Sequence, residues 1–301
     1  MKQLYCAHCQ RFIADRFVIG KCPNVTCSFE KATGDQCDKC GGTFEANELL
    51  DPKCFVCSNG VETRDSEHLF MDLEKVDGQL KDYVSRTTSD KSNMWTPNSV
   101  SITQGWFNTG LKARCITRDL KWGVPVPMTG FENKCFYVWF GAPIGYISIT
   151  SCFLQKEWRD WWQPKENVEL VQFMGKDNVP FHTILFPSFL IAANKQWNLM
   201  SSISTTEYLN YEDAKFSKRN GTGVFGGDVA QINIAVECWR YYLLSIRPET
   251  SDTQFQWSDF AQKINNDLLS NFGNLVNRVL KYVYSNFDAR VPRIAKSCLQ
   301  E

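Results

Sequence analysis

The chain has 301 residues, and its 33 basic and 33 acidic side chains cancel to a formal net charge of zero. Zero net charge excludes a global field that attracts nucleic acid, so any polyanion must meet a local patch. The 43% of hydrophobic residues suffice for a sizeable core, and the length predicts about two domains. No run is apolar enough to span a membrane and no secretory segment opens the sequence, so we expect no membrane partner.

The first distinctive segment holds eight of the thirteen cysteines. They form four closely spaced pairs: Cys6 and Cys9, Cys22 and Cys27, Cys37 and Cys40, and Cys54 and Cys57. Each short spacing lets one turn present two sulfurs to one ion, so the pairs predict two structural zinc sites of four thiolates. Without an export signal, this spacing indicates metal ligation and not disulfides, which favours a reducing, cytoplasmic location. Spacing alone leaves open which pairs share an ion.

The next stretch, residues 58–95, is polar and mixed. The segment 64–73 alternates near its end, which predicts a short strand, and His68 within it is interpreted as a hydrogen-bonded structural histidine. Thr96-Pro97 predicts a helix start, because proline is favoured at the first helical position, and Gly110 predicts its end.

From Cys115 onward, the pattern becomes one of strands followed by turns. Residues 136–140 are continuously apolar and predict a buried central strand, which leads into a turn where α/β sheets bind ligands. Residues 168–174 predict a second strand, followed by a turn at 175–178 and a helix over 179–193. Asp177 in that turn suits either a ribose contact or a helix cap.

A third strand, at residues 201–208, leads into a loop with two lysines around a serine, Lys215-Phe216-Ser217-Lys218. Ammonium groups in such a loop stabilise a reacting triphosphate, although the same composition also suits a solvated turn. Beyond Asp228 the spacing predicts helices, the longest over 260–284. Asn274 and Arg278 lie four residues apart and would share a helix face, suited to RNA bases or simply to solvent.

Taken in order, these segments resemble methionyl-tRNA synthetase of the eukaryotic cytosolic and archaeal type. The resemblance is carried by the four cysteine pairs, by Trp-Phe-Gly-Ala-Pro-Ile-Gly-Tyr at 139–146, by Gly-Lys-Asp-Asn-Val-Pro-Phe-His at 175–182, and by the Lys215 loop. It implies an α/β fold: the second half of a class I Rossmann domain, with a zinc-binding connective insertion before it and the start of an α-helical anticodon-binding bundle after it. The implied boundaries are 1–115 for the insertion, 116–228 for the Rossmann half, 229–260 for a stem-contact region and 261–301 for the bundle.

The resemblance implies an ATP-dependent methionine–tRNA ligase, which forms methionyl adenylate and transfers methionine to tRNA-Met. The implied cofactors are two structural zinc ions, with ATP and magnesium as substrate. Further candidate partners are a separate N-terminal half and a multi-synthetase complex. The family's zinc sites are nested, so that Cys22, Cys27, Cys37 and Cys40 would hold one ion and Cys6, Cys9, Cys54 and Cys57 the other.

Site residues follow from the same resemblance. Trp139, Ala142, Pro143, Tyr146, Phe181 and His182 match the methionine pocket, in which Tyr146 and His182 would offer hydrogen bonds near the sulfur. Arg118 matches a catalytic arginine near the methionine amino group, and Gly175 and Asp177 match the turn that binds the ATP ribose. Lys215, Ser217 and Lys218 match the ATP-binding KMSKS loop, whose two lysines are catalytic, and Asn274 and Arg278 match readers of the anticodon.

The sequence departs from the family in three places. Gly141 stands where aspartate is usual, and Arg219-Asn220 where Ser-Arg is usual. The first Rossmann half, with its HIGH signature, does not precede the cysteine-rich segment, so we expect this chain alone not to activate methionine. The alternative is a non-catalytic zinc- and tRNA-binding fragment of a split or truncated synthetase. The leucine, isoleucine and valine enzymes carry a long editing insertion, for which this chain has no room.

Overall fold

The computed structural model describes residues 1–34, 37, 39–40, 44–120, 122–163, 168–218 and 221–291. Contacts divide the chain into two compact units, Met1–Thr205 and Thr206–Glu301. Each unit combines short strands with helices, so the fold has α/β content. None of the helices in these ranges is both long and apolar enough to cross a membrane.

The first unit holds twelve strands and six α-helices within the described ranges. The strands are β1 (Lys2–Cys6), β2 (Arg11–Phe12), β3 (Val18–Lys21), β4 (Ala32–Thr33), β5 (Leu50–Cys54), β6 (Glu62–Asp65), β7 (Phe70–Met71), β8 (Arg114–Cys115), β9 (Thr117–Arg118), β10 (Cys135–Phe136), β11 (Val171–Gly175) and β12 (Ser202–Thr206). The helices are α1 (Asp77–Ser89), α2 (Pro97–Thr109), α3 (Val138–Gly141), α4 (Ile144–Leu154), α5 (Trp158–Trp162) and α6 (Phe186–Ala192), the last preceded by a π-helical turn at Phe181–Leu185.

The cysteine-rich segment is built on two small antiparallel sheets. Their strand orders are β2-β1-β6 and β4-β3-β5. Their shared core contains only a few aliphatic side chains, among them Leu4, Val18 and Leu49, and it is completed by buried cysteines. Because so little apolar surface is buried here, whatever the cysteines bind contributes directly to folding.

A helical layer follows, formed by α1, α2 and the helix over residues 181–192. Leu80 of α1 and Ile184 share its core, and the buried Thr103 hydroxyl of α2 donates to Thr183 Oγ1 at 2.9 Å. The predicted helix start is confirmed, since α2 begins at Pro97. Its predicted end is confirmed as well, because Gly110 follows with φ of 80°, a conformation that glycine adopts without strain.

The predicted central strand at residues 136–140 is wrong. Strand β10 ends at Phe136, and α3 begins at Val138, which is 64% exposed. The Tyr137 N–H donates to Ile116 O, but the Tyr137 carbonyl accepts from the amides of Phe140 and Gly141, which turns the chain into a helix. A five-residue apolar run does not distinguish a strand from a helix by its periodicity, and local backbone bonding decides here.

The second predicted strand is confirmed over most of its length, as β11, but begins at Val171. Its side chains alternate: Gln172 is buried, whereas Val171 and Phe173 on the opposite face are exposed. The predicted helix over 179–193 is confirmed by the π-helical turn and α6.

The second unit holds β13 (Leu209–Tyr211), β14 (Ala214–Lys215), β15 (Thr253–Phe255), α7 (Gly226–Val229), α8 (Val236–Ser245), α9 (Trp257–Lys263) and α10 (Asn274–Asn286). A π-helical stretch at Ile264–Gly273 joins α9 to α10, so the long helix predicted over 260–284 is confirmed. Strand β13 lies between β14, to which it is antiparallel, and β15, to which it is parallel. Trp239, Tyr242, Phe255 and Phe260 form the buried aromatic core.

Candidate functional site

The first candidate site is a cluster of four thiols at the ends of two strands. Cys6 closes β1 and Cys54 closes β5, and each begins a tight turn that returns a second cysteine, Cys9 or Cys57. Cys6 Sγ lies 3.5 Å from Cys57 Sγ, and Cys9 Sγ lies 3.9 Å from Cys54 Sγ. All four sulfurs lie within 4.8 Å of one another, which is the arrangement of ligands around one ion.

A second set of four thiols has the same arrangement. Cys22 Sγ lies 3.8 Å from Cys40 Sγ, and Cys27 Sγ lies 3.7 Å from Cys37 Sγ. With zinc–sulfur bonds of about 2.3 Å, a tetrahedral site has sulfur–sulfur edges of about 3.8 Å, so both clusters fit zinc without rearrangement. The grouping is the nested one that the resemblance implies. In the described part of the chain every cysteine is a free thiol, which excludes disulfides between these pairs.

The aromatic residues matched to the methionine pocket form two ring pairs in the first unit, called here the aromatic cluster because Phe181 and His182 are adjacent in the chain. Trp139 of α3 and Phe181 pack edge to face with ring centroids 5.1 Å apart. Tyr146 of α4 lies 5.6 Å from the His182 ring. Trp139 and Tyr146 remain 40% and 42% exposed, so one side of the cluster is accessible. Aromatic faces of this kind suit a polarizable thioether side chain.

Hydrogen bonds fix the protonation state of His182 within this cluster. Its Nδ1 lies 2.8 Å from Asn178 O, and its Nε2 lies 2.9 Å from the Tyr146 hydroxyl. A carbonyl oxygen only accepts, so Nδ1 carries the proton and Nε2 accepts from the phenol. Burial lowers the pKa of His182, although the contact with Asn178 opposes the shift, and the ring is therefore neutral near pH 7.

The remaining pocket residues flank this pair. Pro143 is buried at the start of α4, whereas Ala142 is exposed. Gly141 has open space where a Cβ would stand and lies in ordinary helical backbone, so the usual aspartate would fit there. The departure from the family at this position therefore has no steric cause.

Arg118 is held in place by a residue that the sequence did not single out. Its guanidinium lies 3.7 Å from the ring centre of Tyr137, and its Nη1 donates to Thr117 O. Nη2 lies 3.9 Å from Asp15 Oδ2. Tyr137 in turn packs 5.3 Å from Trp139, which links Arg118 to the aromatic cluster through one ring. Burial raises the pKa of Tyr137 to about 12, so the stacking ring is neutral. Tyr137 lies in the run that the sequence predicted to be a strand. Its role beside Arg118 could be identified only by recognising that the chain turns into a helix after Tyr137.

The turn after β11 carries the two residues matched to ATP ribose. Gly175 closes the strand and Asp177 lies exposed in the 3-10 turn Lys176–Asn178, which leads into the helix that carries His182. The strand–turn–helix order expected from the sequence is therefore present in the first unit. This is the position at which open α/β sheets bind ligands.

The lysine-bearing loop in the second unit is a closed hairpin. Ser217 and Thr222 exchange backbone hydrogen bonds of 2.8 and 3.0 Å. Phe216 packs 5.4 Å from Tyr211 in the aromatic core, and Lys215 Nζ lies 5.3 Å from the Tyr208 ring. Lys218 is exposed at the tip, whereas Arg219 and Asn220 lie outside the described residues. Phe216 thus anchors the hairpin to the aromatic core, while Lys218 is exposed to solvent.

Asn274 and Arg278 open the last helix of the second unit. Both are exposed, and their spacing within α10 places them on one face as expected. Large apolar side chains beside them, including Leu275 and Val279, are more than half exposed. This surface is open to a macromolecular partner.

Comparisons with known proteins identify the family of the chain. The family model described as "tRNA synthetases class I (M)" matches residues 1–280. The cytoplasmic methionine–tRNA ligase of Arabidopsis thaliana is 56% identical over 94% of this chain and 35% of its own length. The human cytoplasmic enzyme is 50% identical over 98% of this chain and 32% of its own length.

Among solved structures, the methionyl-tRNA synthetase of Mycobacterium tuberculosis bound by methionyl-adenylate matches 98% of this chain and 51% of its own, with a TM-score of 0.65 and 20% identity. At that identity the match shows the class I synthetase fold alone. The chain spans about a third of the length of the curated relatives that it matches. By its family match and by these identities, the chain belongs to the class I tRNA synthetases of the methionine type.

Proposed function

We propose that this chain is the part of a methionine–tRNA ligase that supplies the methionine side-chain pocket and the ATP-activating lysines. The observation that carries the proposal is the hydrogen bond between the buried His182 and Tyr146, whose side chain is 42% exposed, within an aromatic cluster. The relatives' printed names supply the activity, and the similarity to them covers nearly the whole chain. Their names also support a cytoplasmic location.

In this proposal the pocket recognises methionine by shape and by one polar contact. Trp139 and Phe181 would enclose the thioether, with the Tyr146 hydroxyl beside the neutral His182. An apolar pocket alone separates ligands differing by one methylene by about 1–3 kcal/mol, so a hydrogen bond to the sulfur would provide the remaining discrimination. A thioether sulfur only accepts and Tyr146 has one proton, so its hydroxyl would turn from His182 Nε2 and donate to the sulfur when methionine binds.

Arg118 and the hairpin lysines would contact the charged groups of the substrates. Arg118, fixed by Tyr137 and Asp15, would orient the methionine amino and carboxyl ends. In the second unit, Lys218 and Lys215 would stabilise the phosphate charge that grows as adenylate forms, and Ser217 would belong to the same ATP-binding hairpin. In the first unit, the Gly175–Asp177 turn would bind the ATP ribose. ATP would arrive with magnesium as the substrate complex.

We also propose functions for the segments of the chain. Residues 116–228 would be the second Rossmann half, 229–260 a stem-contact region and 261–301 the beginning of the anticodon-binding bundle, where Asn274 and Arg278 would contact tRNA-Met. Residues 1–115 would be the connective insertion. The two thiol clusters would hold zinc, which in closed four-thiolate sites supplies stability and no catalysis. A separate N-terminal half and a multi-synthetase complex remain predicted partners.

The test is methionine-dependent ATP–pyrophosphate exchange. It is measured with the zinc-loaded chain alone, and with the N-terminal segment of the Arabidopsis relative that precedes the matched region added in trans or fused. We expect exchange only in the combined samples, and its loss when the chain carries Lys218→Ala. Absence of exchange from a folded, zinc-loaded fusion would overturn the proposal and favour the zinc- and tRNA-binding fragment. Exchange that Lys218→Ala leaves unchanged would contradict the role of the hairpin.

A further inference from the structure

A second group of reactive side chains lies in the first unit, where β7 pairs with β8. Phe70 is the register partner of Cys115, and the Ile116 amide donates to Leu69 O, which places Cys115 beside the segment that carries His68. His68 Nδ1 lies 3.0 Å from Thr117 Oγ1, and the Leu69 amide donates to the same oxygen. The imidazole is therefore fixed by two elements, and its side chain is fully buried.

The buried imidazole faces a strongly held carboxylate. His68 Nε2 lies 3.1 Å from Asp119 Oδ2, too poorly aligned for a hydrogen bond but close enough for an ion pair. Asp119 also accepts from Lys134 and, at 2.6 Å, from Ser66. Burial would raise the pKa of Asp119, but these partners hold it well below its usual range. The Asp119 charge is therefore permanent at neutral pH and favours the imidazolium form of His68.

The pKa of His68 follows from this contact. Burial would lower it, but Asp119 and the Cys115 thiol together raise it above its usual value. The sulfur responds in the opposite direction. Burial would raise the pKa of Cys115, but His68, the Thr117 backbone and the charge of Arg118 hold it below its ordinary value. The Cys115 thiol also donates to Thr117 O at 3.3 Å, a contact that only the protonated form makes and that opposes the shift.

Cys115 differs from two other cysteines of the first unit that lie outside the thiol clusters, Cys135 and Cys152. Cys115 is partly exposed, whereas Cys135 is buried and its thiol donates to Leu120 O. Cys152 is more exposed than either. A thiolate is the reactive form of cysteine, and adjacent imidazolium and guanidinium groups increase its population.

We propose that Cys115 is a peroxide-reactive thiol, activated by His68 and Asp119 and oxidised to a sulfenic acid. The Cys115 thiolate attacks one oxygen of hydrogen peroxide, so that a sulfur–oxygen bond forms while the oxygen–oxygen bond breaks. The leaving hydroxide takes a proton from solvent and departs as water. Sulfur loses two electrons and peroxide gains them, while the buried His68 imidazolium keeps its proton. This inference does not depend on the proposed ligase activity.

The experiment uses the zinc-loaded 301-residue chain with peroxide and dimedone, and reads each cysteine separately by mass spectrometry. Cys152 serves as the matched internal control. We expect Cys115 to be labelled faster than Cys152 at pH 7, on the order of tenfold, despite its lower exposure. In His68→Gln this excess should disappear, while circular dichroism and zinc content show that the variant is folded.

If His68→Gln does not fold, the pH dependence of iodoacetamide labelling in the unchanged chain decides the matter. We expect the rate at Cys115 to reach half its maximum at a lower pH than the rate at Cys152. Equal labelling of the two cysteines across pH 6–9, or an unchanged Cys115 rate in a folded His68→Gln variant, would overturn the proposal.

Discussion

Tyr146 donates its hydroxyl proton to Nε2 of His182, and the opposite ring nitrogen of that histidine donates to Asn178 O. The two contacts form a chain from backbone to phenol in which every proton position is determined. Tyr146 is 42% exposed, so its side chain borders the accessible side of the aromatic cluster, whereas His182 is buried. The pair is therefore a single polar element, and its members should not be interchangeable.

The first prediction concerns this element. In the reconstituted enzyme, Tyr146→Phe leaves His182 Nε2 without its donor and removes the only hydroxyl of the pair. We expect a loss of about 1–3 kcal/mol in the preference for methionine over leucine, measured as the ratio of kcat/KM values in pyrophosphate exchange. Tyr241→Phe, which removes a hydroxyl bonded to Asp267 in the second unit, is the matched control. If Tyr146→Phe combined with His182→Ala leaves the preference unchanged, the pocket assignment is wrong.

The second prediction uses the opposite pKa shifts of two histidines. The pKa of His182 is lowered in the folded chain, so its contribution to stability is lost as pH falls below the unfolded value of about 6.5. The pKa of His68 is raised, so its contribution is present at low pH and is lost as pH rises through the folded pKa. Chemical unfolding measured from pH 5 to 8 should show His68→Gln losing most stability at the acid end.

For His182→Gln we expect the reverse: the loss in free energy of unfolding should be smallest at the acid end, because protonation of the buried His182 already destabilises the unsubstituted chain there. His8→Gln, at an exposed position, serves as the control. Parallel pH profiles for His68→Gln and His182→Gln would contradict both assignments.

The third prediction concerns metal. The purified chain should carry close to two zinc ions, because each cluster presents four sulfurs at tetrahedral spacing. Replacing Cys6 and Cys9 by serine should remove one ion and leave the other, as should replacing Cys22 and Cys27. Cys152→Ser should retain both. Metal analysis that finds one ion or none in the unchanged chain, or loss of both ions from either double variant alone, would contradict two independent four-thiolate sites.

The fourth prediction concerns the hairpin lysines. In the reconstituted enzyme, Lys218→Ala should slow adenylate formation by roughly 10²–10³, the usual effect of removing one preorganised charge donor, with methionine binding nearly unchanged. Lys281→Ala, which removes an exposed lysine of α10, is the control. An equal loss in adenylate formation and in methionine binding, measured by single-turnover kinetics and calorimetry, would indicate a damaged fold and not a catalytic lysine.

The fifth prediction concerns the base of the same hairpin. Gly223 has φ of 133°, and a Cβ there would meet the Phe216 ring, which is itself packed in the aromatic core. We expect Gly223→Ala to cost about 1–3 kcal/mol in the free energy of unfolding of the second unit. Gly227→Ala, with ordinary backbone and open space around its Cβ, should cost far less. Similar unfolding midpoints in denaturant for the two variants would contradict the prediction, because they would show that displacing the Phe216 ring does not lower the stability of the second unit.

The cysteine pairs show how far sequence reasoning reaches. Spacing predicts four two-sulfur turns because a turn is local, but the sheets that bring Cys6 to Cys57 join residues far apart in the chain. The nested grouping therefore came from the resemblance and not from spacing. The helix starting at Pro97 was predictable for the opposite reason, since its start and end signals lie within a few residues.

The run at residues 136–140 shows where such reasoning fails. Its composition fits a buried strand, but the Tyr137 carbonyl accepts from the amides of Phe140 and Gly141 and begins a helix. The stacking of Arg118 on Tyr137 depends on that turn, so the residue that fixes Arg118 was missed. The partners of His68 could not be predicted from the sequence either. Asp119 lies about fifty residues away in the chain, and the pairing of β7 with β8 brings the two regions together.

The nesting of the two thiol clusters has a consequence for how metal is gained and lost. Cys9 and Cys54 lie 45 residues apart, and Cys22 and Cys40, which lie 18 apart, fall between them. Once an ion is bound by the inner cysteines, it connects Cys22 to Cys40. The flexible loop between Cys9 and Cys54 is then shortened from 45 to roughly 27 residues, which lowers the entropy cost of closing that loop by about 0.5 kcal/mol. Loading the inner site thus increases the affinity of the outer one about twofold, and linkage requires the reverse effect to be equal. The segment should take up and release its two ions as a weakly cooperative pair.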